Sequence, residues 1–114
     1  MASRGDILHL KRRLGFAARG TAEPIVVVQA DPLNRSLGTV LVVPLDPALA
    51  LYDGNPTAVL VPARESGLGA DHMAVLTHVR PVALGHLAPA VVGRLSPQTQ
   101  LALDRVLKLV LGLR

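Results

Sequence analysis

The side chains best suited to binding a polyanion lie near the start of the sequence. Residues 1–20 contain five cations and one carboxylate, whereas residues 21–114 carry seven of each sign. The five cations are Arg4, Lys11, Arg12, Arg13 and Arg19. The whole net charge of +4 therefore belongs to this segment. Such a cluster indicates a polyanionic partner, most often a nucleic acid, although adjacent cations also occur on solvated loops.

A further polar side chain, Asp46, lies in the segment VPLDPAL between two prolines. An aspartate at such a place is typical of a turn, because its carboxylate accepts hydrogen bonds from nearby backbone N–H groups. The four histidines, at positions 9, 72, 78 and 86, offer little metal-ligand spacing. On one strand, His72 and His78 would share a face but lie about 20 Å apart, which is too far for one ion. Histidine-bound metal is therefore not expected.

Several classes of protein are excluded by what the sequence lacks. It contains no cysteine, so disulfides, thiolate zinc sites and cysteine nucleophiles are absent. No dinucleotide-binding glycine motif, P-loop, G-x-S-x-G or H-E-x-x-H motif occurs. No apolar run approaches the ~18 residues of a membrane span, and the first residues do not have the pattern of a secretory signal. We therefore predict a cytoplasmic protein without a membrane segment.

Short valine-rich runs indicate β-strands. Five are predicted, at 5–10, 24–30, 38–45, 56–62 and 72–79, and they are separated by turn residues rather than helical patterns. The link between the second and third suits a hairpin-like connection, and 83–93 is expected to hold one short helical turn. This order favours an antiparallel sheet or small barrel over alternating βαβ units. A chain of 114 residues fits one domain, here 1–114.

One helix is predicted at the end of the chain. Ser96 followed by Pro97 suits a helix start, and Gly112 suits a C-terminal cap. Asp104 is spaced to pair with Lys108. The remaining circumference is largely apolar, which predicts packing against the sheet and leaves surface for a partner chain.

The order of short motifs in the sequence resembles the MazF/PemK family of toxin ribonucleases from toxin–antitoxin pairs, over nearly the full length. The motifs are RGDILHL, PIVVVQADPLNR, TVLVVPLD, LTHVRPV and LDRVLKLVLGL. The resemblance implies an α+β fold of MazF/CcdB type, a small antiparallel barrel-like sheet with a C-terminal helix. It further implies a homodimer that selectively cleaves single-stranded RNA such as mRNA, needs no cofactor, and is silenced by a cognate antitoxin.

The sequence departs from the family pattern at three positions. The family's catalytic arginine corresponds to Glu23, its catalytic threonine to Asp46, and a glutamine to His78. On this resemblance, Glu23, Asp46 and His78 are the predicted catalytic residues. Predicted RNA contacts are Arg12, Arg13, Arg19, Arg80 and Gln29.

Two schemes fit these residues. In one, Glu23 is the base and His78 the acid of metal-free cleavage, while Arg19 or Arg80 neutralises the phosphate. In the other, Glu23 and Asp46 hold a divalent cation such as Mg²⁺.

Plainer roles remain open for the same side chains. Asp46 would be a turn residue, Glu23 a loop carboxylate paired with Arg19 or the 11–13 cluster, His78 a partly buried strand residue, and Arg80 a brace for the turn before Pro81. The protein would then be a silent family member that binds without cutting. A CcdB-like toxin that acts on a protein target is the remaining alternative.

Overall fold

The structure is a computed structural model, and it describes residues 2–11 and 23–113. The strands are β1 (Asp6–Leu10), β2 (Glu23–Val27), β3 (Thr39–Asp46), β4 (Ala58–Val61), β5 (His72–Val75), β6 (Arg80–Ala83) and β7 (Gly93–Arg94). The α-helices are α1 (Asp31–Asn34), α2 (Ala63–Ser66) and α3 (Pro97–Leu111). Short 3₁₀ turns cover Leu49–Tyr52, Leu76–His78 and Leu84–His86. No helix in the described part of the chain has the length and apolar character needed to cross a bilayer.

The described strands form one antiparallel sheet in the order β4-β5-β3-β2-β1-β7. The long strand β3 is central: β2 pairs with it along one edge, with Ile25 opposite Pro44. Along the other edge lie first β6, with Arg80 opposite Val42, and then β5, with Met73 opposite Asp46. The sheet curls into a half-barrel against α3, so the predicted α+β fold, a small antiparallel barrel-like sheet with a C-terminal helix, is confirmed.

The predicted strand at 72–79 is wrong in one respect. It ends at Val75, passes through the 3₁₀ turn Leu76–His78, and resumes as β6 at Arg80. The turn forms because Leu76 is fully buried and its N–H donates to the Thr57 carbonyl, which draws the chain away from β3. His72 and His78 therefore do not share a strand face. The other four predicted strands are present with ends shifted by one to three residues, and the short helical turn expected within 83–93 is the turn Leu84–His86.

Alternation along the strands produces two apolar layers. One layer, which includes Ile7, Val26, Val43 and Leu103, lies between the sheet and α3. The opposite face buries a second layer that includes Ile25, Val27, Val42, Val82 and Leu87. Each such side chain contributes roughly 1.5–3 kcal/mol when it is fully removed from water. Because both faces of β2 are buried, Glu23 begins a strand whose five residues are all buried.

The segment before β1 is tied to α3. The Arg4 guanidinium forms an ion pair with Asp104 and donates from Nε to the Val28 carbonyl at 3.1 Å. Asp104 therefore pairs with Arg4, where spacing had suggested Lys108. Asp6 is buried and accepts a hydrogen bond from Arg94 Nε at 2.9 Å, which joins β1 to β7.

Helix α3 begins and ends where the sequence predicts. Ser96 Oγ accepts a hydrogen bond from the Thr99 N–H at 3.2 Å, and Gly112 ends the helix with a φ of 70°. Glu65 of α2 accepts from the Ser96 N–H at 2.8 Å. Burial raises the pKa of Glu65, but hydrogen bonds from Ser96 and Thr99 outweigh burial and hold this pKa below its ordinary value. The start of α3 is thus capped by two side chains.

Strand β7 passes so close to α2 that only glycine fits at position 93. A Cβ on Gly93 would lie 2.2 Å from the Ser66 carbonyl oxygen and 2.3 Å from that of Glu65. Both are backbone atoms, so relief would require one element to move away from the other. The contact therefore fixes the distance between β7 and α2.

Candidate active site

The candidate site centres on an ion pair between β2 and β6. Arg80 Nη2 donates to Glu23 Oε1 at 2.6 Å. The Glu23 side chain is 1% exposed and that of Arg80 25%. Both residues lie on the sheet face that carries the second apolar layer, because Arg80 is opposite Val42 and Val42 is opposite Val27. A hydrogen bond between charged groups contributes about 1.5–3 kcal/mol, so this contact is a firm part of the site.

His78 lies close to Arg80 along the chain, at the end of the adjoining 3₁₀ turn. It is exposed and precedes Arg80 by two residues, which limits the distance between their Cα atoms to about 7 Å. Imidazole is the side chain that ordinarily changes charge between pH 5 and 8. The site thus contains a partly exposed cation on a buried carboxylate and, next to it, an exposed group able to transfer protons.

Asp46 ends β3 and organises the loop that follows. Its Oδ1 accepts from the Ala48 N–H at 2.9 Å, and its Oδ2 accepts from the Tyr52 hydroxyl at 2.6 Å. Burial, and then the hydrogen bond and charge of Asp46, raise the pKa of Tyr52 to about 12. Both carboxylate oxygens are therefore occupied within the loop, which is the geometry of a turn residue. The catalytic role of Asp46 stays a prediction.

Glu23 and Asp46 lie near each other in register but serve different contacts. Continuing the β2–β3 pairing two residues beyond Ile25 and Pro44 brings the two acidic residues to matching positions. The sheet divides there, because Asp46 pairs with Met73 of β5. Among residues 2–11 and 23–113, no three or more acidic or histidine side chains are grouped to hold a metal ion. The Mg²⁺ scheme stays a prediction, and it would require both carboxylates to give up their present partners.

An open groove lies beside the Asp46 loop. It has a volume of about 620 Å³ and is lined in part by Leu49, Tyr52, Leu60 and Met73. Met73 faces Asp46 across the β3–β5 pair, so this groove adjoins the end of β3.

The predicted RNA contacts are placed differently from one another. Gln29 is 7% exposed and donates from Nε2 to the Asn34 side chain at 3.0 Å and to the Thr39 carbonyl at 3.1 Å. It would have to leave both acceptors to meet RNA, and its RNA-binding role stays a prediction. Arg12, Arg13 and Arg19 lie outside the described residues, so the structure does not test their predicted roles.

Two partnerships in the site were not found from the sequence. Glu23 contacts Arg80, 57 positions further along the chain. Its expected pairing with Arg19 or the 11–13 cluster stays a prediction, since residues 12–22 lie outside the described part of the chain. Only knowledge of the β3–β6 register could have revealed the Glu23–Arg80 pair. The contact of Tyr52 with Asp46 was not predicted, although the six-residue spacing of the two across a turn is a local signal.

The class of fold is defined by a half-barrel antiparallel sheet that packs on a C-terminal helix and has a charged site at the end of β3. Residues 3–111 match the family model described as PemK-like, MazF-like toxin of type II toxin-antitoxin system. The chain therefore belongs to the PemK/MazF toxin family, and the resemblance seen in the motifs is confirmed. No curated protein matches the chain significantly.

Solved structures of the same fold cover nearly the whole chain. An endoribonuclease in complex with its cognate antitoxin from Mycobacterial species is 20% identical, with a TM-score of 0.76, covering 99% of this chain and 95% of that one. MazF-mt6, a Mycobacterium tuberculosis toxin, is 17% identical, with a TM-score of 0.76 and coverage of 96% and 98%. MazE-MazF (Form-III) from Deinococcus radiodurans is 18% identical, with a TM-score of 0.77 and coverage of 99% and 98%. At these identities the likeness establishes the fold.

Proposed function

We propose that this protein is an endoribonuclease toxin of a type II toxin–antitoxin pair, which cuts single-stranded RNA such as mRNA at selected sequences without a metal ion. One observation carries the proposal: within a toxin-family fold, the partly exposed Arg80 guanidinium is held by a buried carboxylate beside the exposed imidazole of His78. A guanidinium binds phosphate oxygens in a fork, and imidazole transfers protons near neutral pH. These are the two components needed at a scissile phosphodiester.

In the proposed reaction, the RNA 2′-hydroxyl oxygen forms a new bond to phosphorus, and the bond from phosphorus to the 5′-oxygen breaks. Arg80 stabilises the negative charge that grows on the phosphate oxygens. His78, as imidazolium, gives its proton to the departing 5′-oxygen. The proton of the 2′-hydroxyl passes to solvent water, since the predicted base, Glu23, is only 2% exposed. The products are a 2′,3′-cyclic phosphate and a 5′-hydroxyl end.

We further propose a homodimer and a cognate antitoxin as partners. Several leucines of α3 and the residue after its cap are exposed in the single chain: Leu101, Leu109, Leu111 and Leu113. Clustered exposed leucines on one helix are typical of a surface covered by another protein. Two of the related structures are named for a toxin with its antitoxin or with MazE, which supports an antitoxin partner. A toxin that cuts mRNA acts in the cytoplasm.

The first experiment is incubation of the purified protein with a long single-stranded RNA, with and without EDTA, followed by analysis of the fragment ends. Cyclic phosphate ends formed in EDTA are expected. Cleavage that requires added metal would refute the metal-free scheme and favour Glu23 and Asp46 as ligands.

His78→Ala tests the proposed acid, and His86→Ala is its matched control. Both residues are exposed and lie in short 3₁₀ turns, but His86 is in the turn after β6. We expect His78→Ala to cut about 10²-fold more slowly, in the range of lost acid–base catalysis, and His86→Ala to cut like the parent. Equal rates for the parent and His78→Ala would exclude His78 as the acid.

A binding protein that does not cut is the second candidate. It is favoured by the contacts of Asp46, whose two carboxylate oxygens are both occupied within its own loop. In that case the protein would shift RNA in a gel and leave it intact. The same incubation therefore distinguishes the two candidates.

A further inference from the structure

We infer that Glu23 is a positioning residue, which acts through Arg80 by holding its guanidinium in the orientation that meets the RNA phosphate. This inference rests on the proposed function, because it takes RNA as the ligand of Arg80. It assigns Glu23 a role different from that of the base predicted from the sequence. The alternatives are that Glu23 is a base or that it competes with RNA for Arg80.

The geometry favours orientation because one partner is buried and the other reaches the surface. Glu23 is buried at the start of β2, where it pairs with Leu10 of β1, so its carboxylate has little room to move. Arg80 opens the short strand β6, and a quarter of its long side chain is exposed. A charge-assisted contact of 2.6 Å from Nη2 to Oε1 therefore ties the partly exposed guanidinium to the buried carboxylate.

A base must touch the proton that it removes. A general base needs a heavy-atom distance of about 2.6–3.2 Å to the reacting hydroxyl. Glu23 Oε1 already accepts from Arg80 at 2.6 Å, and only 1% of the Glu23 side chain is exposed. A 2′-hydroxyl cannot come within this distance of a carboxylate so deeply buried unless the site rearranges, which argues against the base.

Competition between Glu23 and the RNA phosphate for Arg80 is disfavoured by the relative strengths of the two contacts. If RNA drew Arg80 away, the buried carboxylate would lose a charge-assisted contact of 2.6 Å, which disfavours that state by about ten- to a hundredfold. One arginine–phosphate contact strengthens binding by only about three- to tenfold at moderate salt. Arg80 is therefore expected to keep its contact with Glu23 while the exposed part of the guanidinium meets the phosphate.

The test asks whether Glu23→Gln weakens or tightens the binding of RNA. The ligand is a short single-stranded RNA with 2′-deoxyribose at its cleavage sites, so that it binds without being cut. Removing a negative charge should by itself tighten binding to a polyanion. We expect Glu23→Gln instead to weaken binding about three- to tenfold, because the guanidinium is less firmly held. In an Arg80→Gln background, Glu23→Gln should produce no such weakening, because the guanidinium that it is inferred to orient is absent.

Asp6→Asn is the matched control. Asp6, like Glu23, is a buried carboxylate paired with an arginine, here Arg94, but on the far edge of the sheet. We expect it to bind RNA like the parent. Arg80→Lys is a second variant that keeps the charge and a partner for Glu23 but lacks the planar fork. It should weaken binding about as much as Arg80→Gln.

The outcomes separate this inference from the function on which it rests. Tighter binding by Glu23→Gln would identify Glu23 as a competitor of RNA. Unchanged binding with lost cleavage would identify it as a base. Either result would overturn the positioning role and leave the proposed ribonuclease function standing. A parent that binds RNA but does not cut it would refute the ribonuclease and leave the positioning role standing. A parent that binds no RNA would refute both. If Glu23→Gln does not fold, parent-like binding by Arg80→Lys would overturn the inference.

Discussion

The hydrogen bond between Tyr52 and Asp46 makes an alkaline titration of this protein unusually direct to interpret. The sequence contains one tyrosine and no tryptophan, so the ultraviolet absorbance of tyrosinate reports Tyr52 alone. An ordinary tyrosine pKa is 10.0, and burial with the Asp46 contact raises that of Tyr52 to about 12. We expect the absorbance of the folded protein to rise with a midpoint near the higher value.

The size of the effect on stability follows from the same shift. A pKa raised from 10.0 to about 12 corresponds to about 2.7 kcal/mol at full strength. Because the Tyr52 ring is partly exposed, solvent screening reduces this to on the order of 1–2 kcal/mol. The folded state binds the hydroxyl proton more tightly than the unfolded state does. The contribution is therefore fully present below pH 10 and is lost as the pH rises towards 12.

Asp46→Asn separates the two causes of the raised Tyr52 pKa, which are burial and the contact with Asp46. The substitution removes the negative charge but leaves the ring where it is, so the midpoint should fall to a value between those of the free and the hydrogen-bonded hydroxyl. Circular dichroism at each pH must confirm that the protein stays folded, because an unfolded chain titrates like a free tyrosine. A folded parent with a midpoint near 10, or an Asp46→Asn variant identical to the parent, would refute the assignment of both oxygens of Asp46 to its loop.

Three further predictions concern stability and assembly. Gly93→Ala should destabilise the fold by about 1–3 kcal/mol or more, and each kcal/mol lost should lower the melting temperature by about 4–8 °C in calorimetry. Gly38→Ala is the control, because a Cβ there would meet nothing within 4 Å, and it should be neutral or slightly stabilising. Ser96→Ala should cost about 1 kcal/mol in urea unfolding, and an unchanged midpoint would contradict its capping role. Leu111→Lys should convert a dimer to a monomer in sedimentation, whereas Leu51→Lys, in the exposed 3₁₀ turn Leu49–Tyr52, should not.

The elements whose signals are local could be predicted from the sequence. Helix α3 has the predicted Ser96 cap and Gly112 end because capping depends on the few residues at each helix end. The break between β5 and β6 could not be predicted in this way. A run of β-branched and apolar residues has the same pattern whether the chain stays on β3 or turns away, and burial of Leu76 decides between them.

The candidate site was predictable in its residue types and not in its contacts. Motif order pointed to Glu23, Asp46 and His78, but partner choice depends on register across strands that are distant in sequence. The Glu23–Arg80 pair joins β2 to β6 across β3, and no local pattern encodes it. By contrast, the turn geometry of Asp46 was among the expected roles, since both donors to its carboxylate lie within six residues.

The two ion pairs near the start of the chain have a consequence for the order of folding. Asp6 pairs with Arg94 across 88 residues, and Arg4 pairs with Asp104 across 100 residues. During synthesis, β1 therefore leaves the ribosome long before the strand and helix that complete its surroundings. Contacts of such long range slow folding, because the loop must close before they form. A nascent chain built in this way therefore cannot complete its fold until α3 has emerged.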